Sequence, residues 1–185
     1  MPPAEGGATL SGSTRARPNM LLVTALVLLA ARVATGIYEE RHPPAVTDLV
    51  RWQPIAGSEA TAREQRRAIL YDFTADWCVP CQVMQREVFA DPEIAREIER
   101  GFLPVRVLDR MREEGRNTPA VDSLVRRYRV NSFPTLVVVP PGGGDPVVMV
   151  GYEGKSATVQ GLRAAMVQSF MPPGMRPPAP GTRGR

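Results

Sequence analysis

Two cysteines stand three apart in Trp77-Cys78-Val79-Pro80-Cys81, and the chain has no others. The apolar run Ala68 to Thr74 before them reads as a buried strand. After them, Val79, Val83, Met84 and Val88 fall at helical spacing. The pair therefore occupies a strand–helix junction. At a helix N-terminus, unpaired N–H groups and the helix dipole favour a thiolate on Cys78. Cys81, one turn on, shares its face and can reach it. A Cys78 thiolate can attack a substrate disulfide, and Cys81 can then resolve the mixed disulfide. Pro80 stiffens the turn, and so early in a helix it breaks no hydrogen bond. Two plainer uses of such a pair stand beside this one. A metal site needs two more ligands, and the only histidine is His42, far away in sequence. A purely structural bridge over so short a loop adds little chain-entropy stabilisation.

Asp72 lies inside the apolar strand, six residues before Cys78. Strand alternation points it toward the core beneath the helix that carries the cysteines. A buried carboxylate is costly and holds its proton more tightly. Such a group can take the Cys81 proton as that thiol becomes a nucleophile. The plainer alternative is a strand-end Asp bonded to backbone. Asp76, nearer the loop, reads as a solvated or capping residue. In Ser132-Phe133-Pro134-Thr135, a proline opens a strong β run, which suggests a tight, cis turn. Exposed backbone at Phe133 could pair with an extended partner. An ordinary strand-initiating Pro134 is the alternative.

Positioning these groups takes a series of alternating elements. Val50 to Ile55 reads as a short edge strand, and Ser58 to Arg67 as a helix started by Ser58. Ala68 to Thr74 is a strand and Cys78 to Phe89 a helix. A further helix has Asp91 as N-cap and Pro92 at its first position, and ends at Gly101. Phe102 to Leu108 is a strand, Asp109 to Asn117 a charged loop, and Thr118 to Tyr128 a helix. Thr135 to Val139 and Val147 to Tyr152 form a hairpin, and Ser156 to Phe170 closes the order as an amphipathic helix. Strands alternating with helices and ending in a hairpin predict an α/β fold, a central mixed sheet flanked by helices.

The 185 residues carry a net charge of +4, with 23 Lys and Arg against 19 Asp and Glu. Arg15, Arg17 and Arg32 supply the excess at one end, and Arg176, Arg183 and Arg185 at the other. The middle is close to neutral, with no basic stripe interleaved with aromatics, so nucleic acid is not an expected partner. Residues 1–38 read as a signal peptide or membrane anchor. Arg15 and Arg17 precede the largely apolar run Met20 to Ala31, and Ala34-Thr35-Gly36 offers a cleavage site. If uncleaved, residues 20–38 form a membrane tether. Either outcome places the rest outside the cytoplasm. Residues 39–49 read as a linker, 50–170 as the folded domain, and 171–185 as a disordered Pro/Arg-rich tail.

These residues resemble the thioredoxin superfamily. Ala68-Ile-Leu-Tyr-Asp-Phe-Thr-Ala-Asp-Trp-Cys-Val-Pro-Cys81 is similar to its active-site strand and helix start, Phe133-Pro134-Thr135 to its cis-proline loop, and Gly151 to the glycine before its last helix. Within it, Ala75 to Cys81 followed by Glu87-Val-Phe-Ala-Asp-Pro92 most resembles the C-terminal periplasmic domain of DsbD-type thiol:disulfide interchange proteins. The resemblance implies a thioredoxin fold, with Cys78 as nucleophile, Cys81 as resolving thiol and Asp72 as buried acid. It implies partner contacts at Trp77, Pro80, Phe133 and Pro134. It also implies a monomer without metal or cofactor beyond the Cys78–Cys81 disulfide, acting on disulfide-containing proteins and recharged by an upstream thiol reductant. Two positions depart from the pattern. Gln82 replaces a frequent lysine, and Val105 stands where thioredoxins often place a lysine, which predicts an Asp72 with no cationic neighbour. The Val-Pro pair between the cysteines, without histidine, leans toward reduction. A redox-inactive docking module on the same fold, binding through the Phe133–Pro134 loop, is the second reading.

Overall fold

The computed structural model describes residues 18–41, 47–171 and 175. The chain divides into two compact units, Met1–Ala45 and Val46–Arg185. In the first, helix α1 (Pro18–Arg41) contains the expected apolar run, and the proposed cleavage site Ala34-Thr35-Gly36 lies within it. Among the described residues no helix is long and apolar enough to cross a membrane. Arg15, Arg17, His42 and nearly all of the 171–185 tail lie outside the described residues.

The second unit is built on four strands, β1 (Ala68–Ala75), β2 (Phe102–Asp109), β3 (Thr135–Val139) and β4 (Val147–Val150). They lie in the order β2-β1-β3-β4. β1 runs parallel to β2 and antiparallel to β3, and β3 pairs antiparallel with β4. This is the expected mixed sheet with its terminal hairpin. Both faces of central β1 are covered, which is why its sequence is nearly continuously apolar. On one face Ala68 and Leu70 pack with Met84, Val88, Phe89, Ile98 and Leu162. These come from α3 (Val79–Met84), the segment after it, α4 (Pro92–Gly101) and α7 (Lys155–Ser169). On the other face Ile69, Tyr71 and Phe73 pack with Ala62, Val121 and Leu124 of α2 (Ser58–Gln65) and α6 (Pro119–Arg127).

Local signals account for most helix starts. The Asp91 side chain accepts from the N–H groups of Glu93 and Ile94, and Thr118 caps α6 ahead of Pro119. Four expectations need correction. Residues 50–55 form no strand. Their single bridge joins Gln53 to Val105, because Pro54 has no N–H and the Asp48 carboxylate folds the segment back by accepting from the Val50 N–H. Ser58 does not cap α2; Gly57 does, at φ 79°, while the Ser58 hydroxyl donates to the Ile55 carbonyl. The helix of the cysteine pair is α only to Met84 and continues as a π segment over Gln85–Phe89, where the Ala90 N–H reaches back five residues to Gln85. Finally, the 109–117 loop contains a short helix, α5 (Met111–Glu114).

Candidate active site

Strand β1 delivers the chain to Ala75, and three residues later Cys78 becomes the N-cap of α3. Its sulfur accepts from the Cys81 N–H at 3.2 Å, and Pro80 sits in the first turn, where no N–H is needed. Cys78 and Cys81 are joined as a disulfide. Both are buried, in a cluster with Ala75 against which Phe133 packs. The flanks are open: Trp77 is 43% exposed and Val79 64%. The Trp77 ring meets Phe133 edge-on at 6.0 Å, and the Arg112 guanidinium lies 5.3 Å from the Trp77 ring centre. The peptide bond Phe133–Pro134 is cis, as the Pro-before-strand reading suggested. Its loop is held from behind by Gly151, whose N–H donates to the Pro134 carbonyl at 2.8 Å. Gly151 adopts φ 84°, a conformation glycine takes without steric cost. Trp77, Phe133, Pro134 and both cysteines are thus brought together at one end of the sheet.

Asp76 is exposed and pairs with Arg110 at 2.8 Å. Asp72 is the opposite case, 1% exposed. It lies on the same face of β1 as Ala68 and Leu70, the face packed against the helix that carries Cys81. Burial raises its carboxyl, Arg106 lowers it by charge and hydrogen bond and Asp48 raises it again, with a net rise from 3.8 to about 6. One carboxylate oxygen, Oδ2, accepts from Arg106 Nε at 3.1 Å. The other, Oδ1, is buried without a hydrogen-bond partner.

The expectation that Asp72 lacks a cationic neighbour is therefore wrong by one residue. Arg106 lies directly opposite Asp72 in the parallel β1–β2 register. Val105 points to the other face, among Tyr71 and Phe73. Sequence reasoning missed Arg106. An arginine interrupting the otherwise continuous apolar run of Phe102 to Leu108 is the signal that could have found it.

Residues 56–165 match the family model of a thioredoxin-like domain. The chain belongs to the thioredoxin-like family. Over 84 residues it is 34% identical to thiol:disulfide interchange protein DsbD 2 of Pseudomonas aeruginosa, a stretch that is 45% of this chain and 13% of that protein. It is 21% identical over 130 residues to thiol:disulfide interchange protein DsbD of Yersinia pestis, covering 68% of this chain and 21% of that one. It thus spans only a small part of the curated relatives it matches. Among solved structures, a thioredoxin from Thermus thermophilus superposes with TM-score 0.55 at 30% identity, covering 65% of this chain and 90% of that one. The DsbH oxidoreductase superposes at 0.56 with 22% identity, covering 68% and 90%, and adds support for the fold alone. The second unit accordingly has a thioredoxin fold, with the cysteine pair at the start of α3.

Proposed function

We propose that this protein reduces disulfides in partner proteins outside the cytoplasm and is recharged by an upstream dithiol. The observation that carries the reading is the Cys78–Cys81 disulfide at the start of α3, beside the Phe133–Pro134 loop and above a buried carboxyl. In the reduced protein, the Cys78 thiolate attacks one sulfur of a partner disulfide. The partner's second sulfur leaves as a thiolate and takes a proton from solvent. Asp72, ionised, accepts the proton of Cys81. The Cys81 thiolate then attacks Cys78, forming the disulfide of this structure and releasing the partner's first sulfur as a thiolate, which is protonated in turn. Two electrons have passed to the partner. An incoming dithiol reverses the sequence and restores both thiols.

Trp77 and Phe133 offer the partner an apolar ledge, the Phe133–Pro134 backbone an edge for an extended segment, and Pro80 a rigid rim to the disulfide. The extracytoplasmic site rests on Arg15 and Arg17 ahead of the apolar run, on Ala34-Thr35-Gly36 as cleavage site, and on the similarity to DsbD-type proteins. Reduction of an insulin-type protein disulfide by wild type and Cys78→Ser tests the mechanism. The expected loss is nearly complete, and normal turnover by the variant ends it. A reduction potential near −270 mV supports the direction, and one near −120 mV, an oxidant's value, reverses it.

A further inference from the structure

Arg106 does not serve Asp72 alone. While its Nε bonds Asp72, its Nη1 lies 2.5 Å from Asp48 Oδ2, on the segment that precedes β1. The guanidinium stacks over Trp52, 4.3 Å from the ring centre, and Phe89 lies 5.7 Å away. Asp48 is fixed in turn. Its Oδ1 accepts from the Val50 N–H at 3.2 Å and its Oδ2 from Trp52 Nε1 at 2.8 Å. Trp52 meets Phe89 edge-on at 5.0 Å. Asp48 is 16% exposed and Arg106 24%, so the group is only partly screened by water. One cation thus stands in a fixed box between two carboxylates, one at the redox centre and one at the start of the domain. Among the described residues, the charged groups facing Asp72 are these two, Arg106 from β2 and Asp48 from the preceding segment. On β3 its register partner is Leu136, and the helix above contributes Met84, Val88 and Phe89.

We propose that Asp48 is a positioning residue for the exchange reaction: it holds Arg106 from the far side and shares its charge, so that Asp72 stays able to take up and release the Cys81 proton. Two opposing effects decide the matter. Arginine next to a carboxylate stabilises the ionised form, and an Asp72 fully neutralised by its own guanidinium would be a poor base. A second carboxylate on the same guanidinium weakens that hold by repulsion across a poorly hydrated gap. A guanidinium can serve both because its donors form a planar fork; an ammonium has no such geometry. Pinning Arg106 against Trp52 prevents it from swinging wholly onto Asp72. The segment before β1, irregular in shape and bound to the sheet by one bridge, thereby has a task at the redox centre.

The proposal rests on the Asp72 role given above, and its test reads Asp72 directly. In the oxidised full-length chain, the carboxyl carbon of Asp72 is titrated by NMR in wild type, Asp48→Asn and Arg106→Gln. Asp48→Asn keeps the shape of the side chain and one acceptor, for the Val50 N–H, while the Trp52 indole loses its acceptor; Asp48→Ser replaces it should the first variant not fold. The Asp72 midpoint is expected to fall by about half a pH unit or more on loss of the Asp48 charge. It is expected to rise in Arg106→Gln, and in the Arg106→Gln background Asp48→Asn is expected to lower it by less than in wild type, because only the direct repulsion between the two carboxylates remains. An unchanged midpoint in Asp48→Asn, or an equal shift with and without Arg106, overturns the proposal. The pH profile of disulfide reduction is recorded alongside: an NMR shift with an unmoved pH–rate midpoint means that Asp72 is not the base, and the role given to Asp48 falls with it. Wild type inactive toward any protein disulfide, with the NMR shift as expected, counts against the functional reading and leaves the electrostatic link standing.

Discussion

Replacing Asp72 by Asn removes a charge from the sheet and keeps the shape of the side chain. With the carboxyl at about 6 in the folded protein and 3.8 ordinarily, folding favours the protonated form. A group raised in this way contributes stability fully below about pH 4 and loses it as pH climbs through about 6. The gap corresponds to about 3 kcal/mol at neutral pH, already net of the attraction to Arg106, since Arg106 is among the influences that set the value. Asn resembles the neutral form at every pH. The variant should therefore be more stable than wild type by about 3 kcal/mol at pH 7.5, on the order of 10 °C in melting temperature for a domain of this size, and nearly equal to it at pH 4. Urea unfolding of the oxidised protein at both pH values measures this. Under the proposed mechanism, in which Asp72 is the base for Cys81, the same variant should also resolve mixed disulfides slowly above pH 6. A variant no more stable than wild type at pH 7.5, or more stable by the same amount at both pH values, refutes the assignment of Asp72 as a strained buried acid.

Asp91 is the opposite case, held down both by Lys155 and by the N-terminus of α4. The hydrogen bond from Lys155 at 2.7 Å, then the N–H groups of Ile94 and Glu93, hold that carboxyl down at about 2. Its contribution to stability is present above about pH 4 and lost as pH falls through about 2, so Lys155→Ala should move the midpoint of acid unfolding to higher pH, followed by circular dichroism. Leu70→Ala empties a fully buried position on the face of β1 that Asp72 shares, and should cost about 2–5 kcal/mol in urea unfolding, with the reduction potential of the cysteine pair little changed.

Chemistry that depends on neighbours in sequence was legible. Cys78 and Cys81 are one turn apart on one helix, Asp91-Pro92 and Thr118-Pro119 mark helix starts by their own side chains, and the runs at 68–74 and 135–139 could be buried only as strands. Features set by register were not. Asp72 and Arg106 meet because parallel pairing places β2 one particular way beside β1, and a shift of one residue would have put Val105 there instead. No local signal in Gln85–Phe89 announces a π turn, since what distinguishes it is one extra residue between hydrogen-bonded groups. The 50–55 segment misled because its alternation resembles a strand, while its geometry is imposed by Asp48, Trp52 and a distant arginine.

The arrangement also explains how the fold carries a costly group at its centre. An ionised Asp72 takes about 3 kcal/mol from a domain whose whole margin is of the order of 5–15 kcal/mol. That loss is tolerable because β1 is sandwiched: six successive residues, Ala68 to Phe73, are buried between two separate apolar clusters. Each fully buried Leu, Phe or Ile side chain returns roughly 1.5–3 kcal/mol. The covering that makes the strand secure is also what withholds water from Asp72. Removing the strain by letting solvent in would lower the carboxyl toward its ordinary value and weaken it as a base for Cys81 at neutral pH. The two clusters and the reactivity of the buried acid are thus consequences of a single fact, that β1 has helices on both sides. A sheet with one open face could hold the same cysteine pair, but not the same acid beneath it.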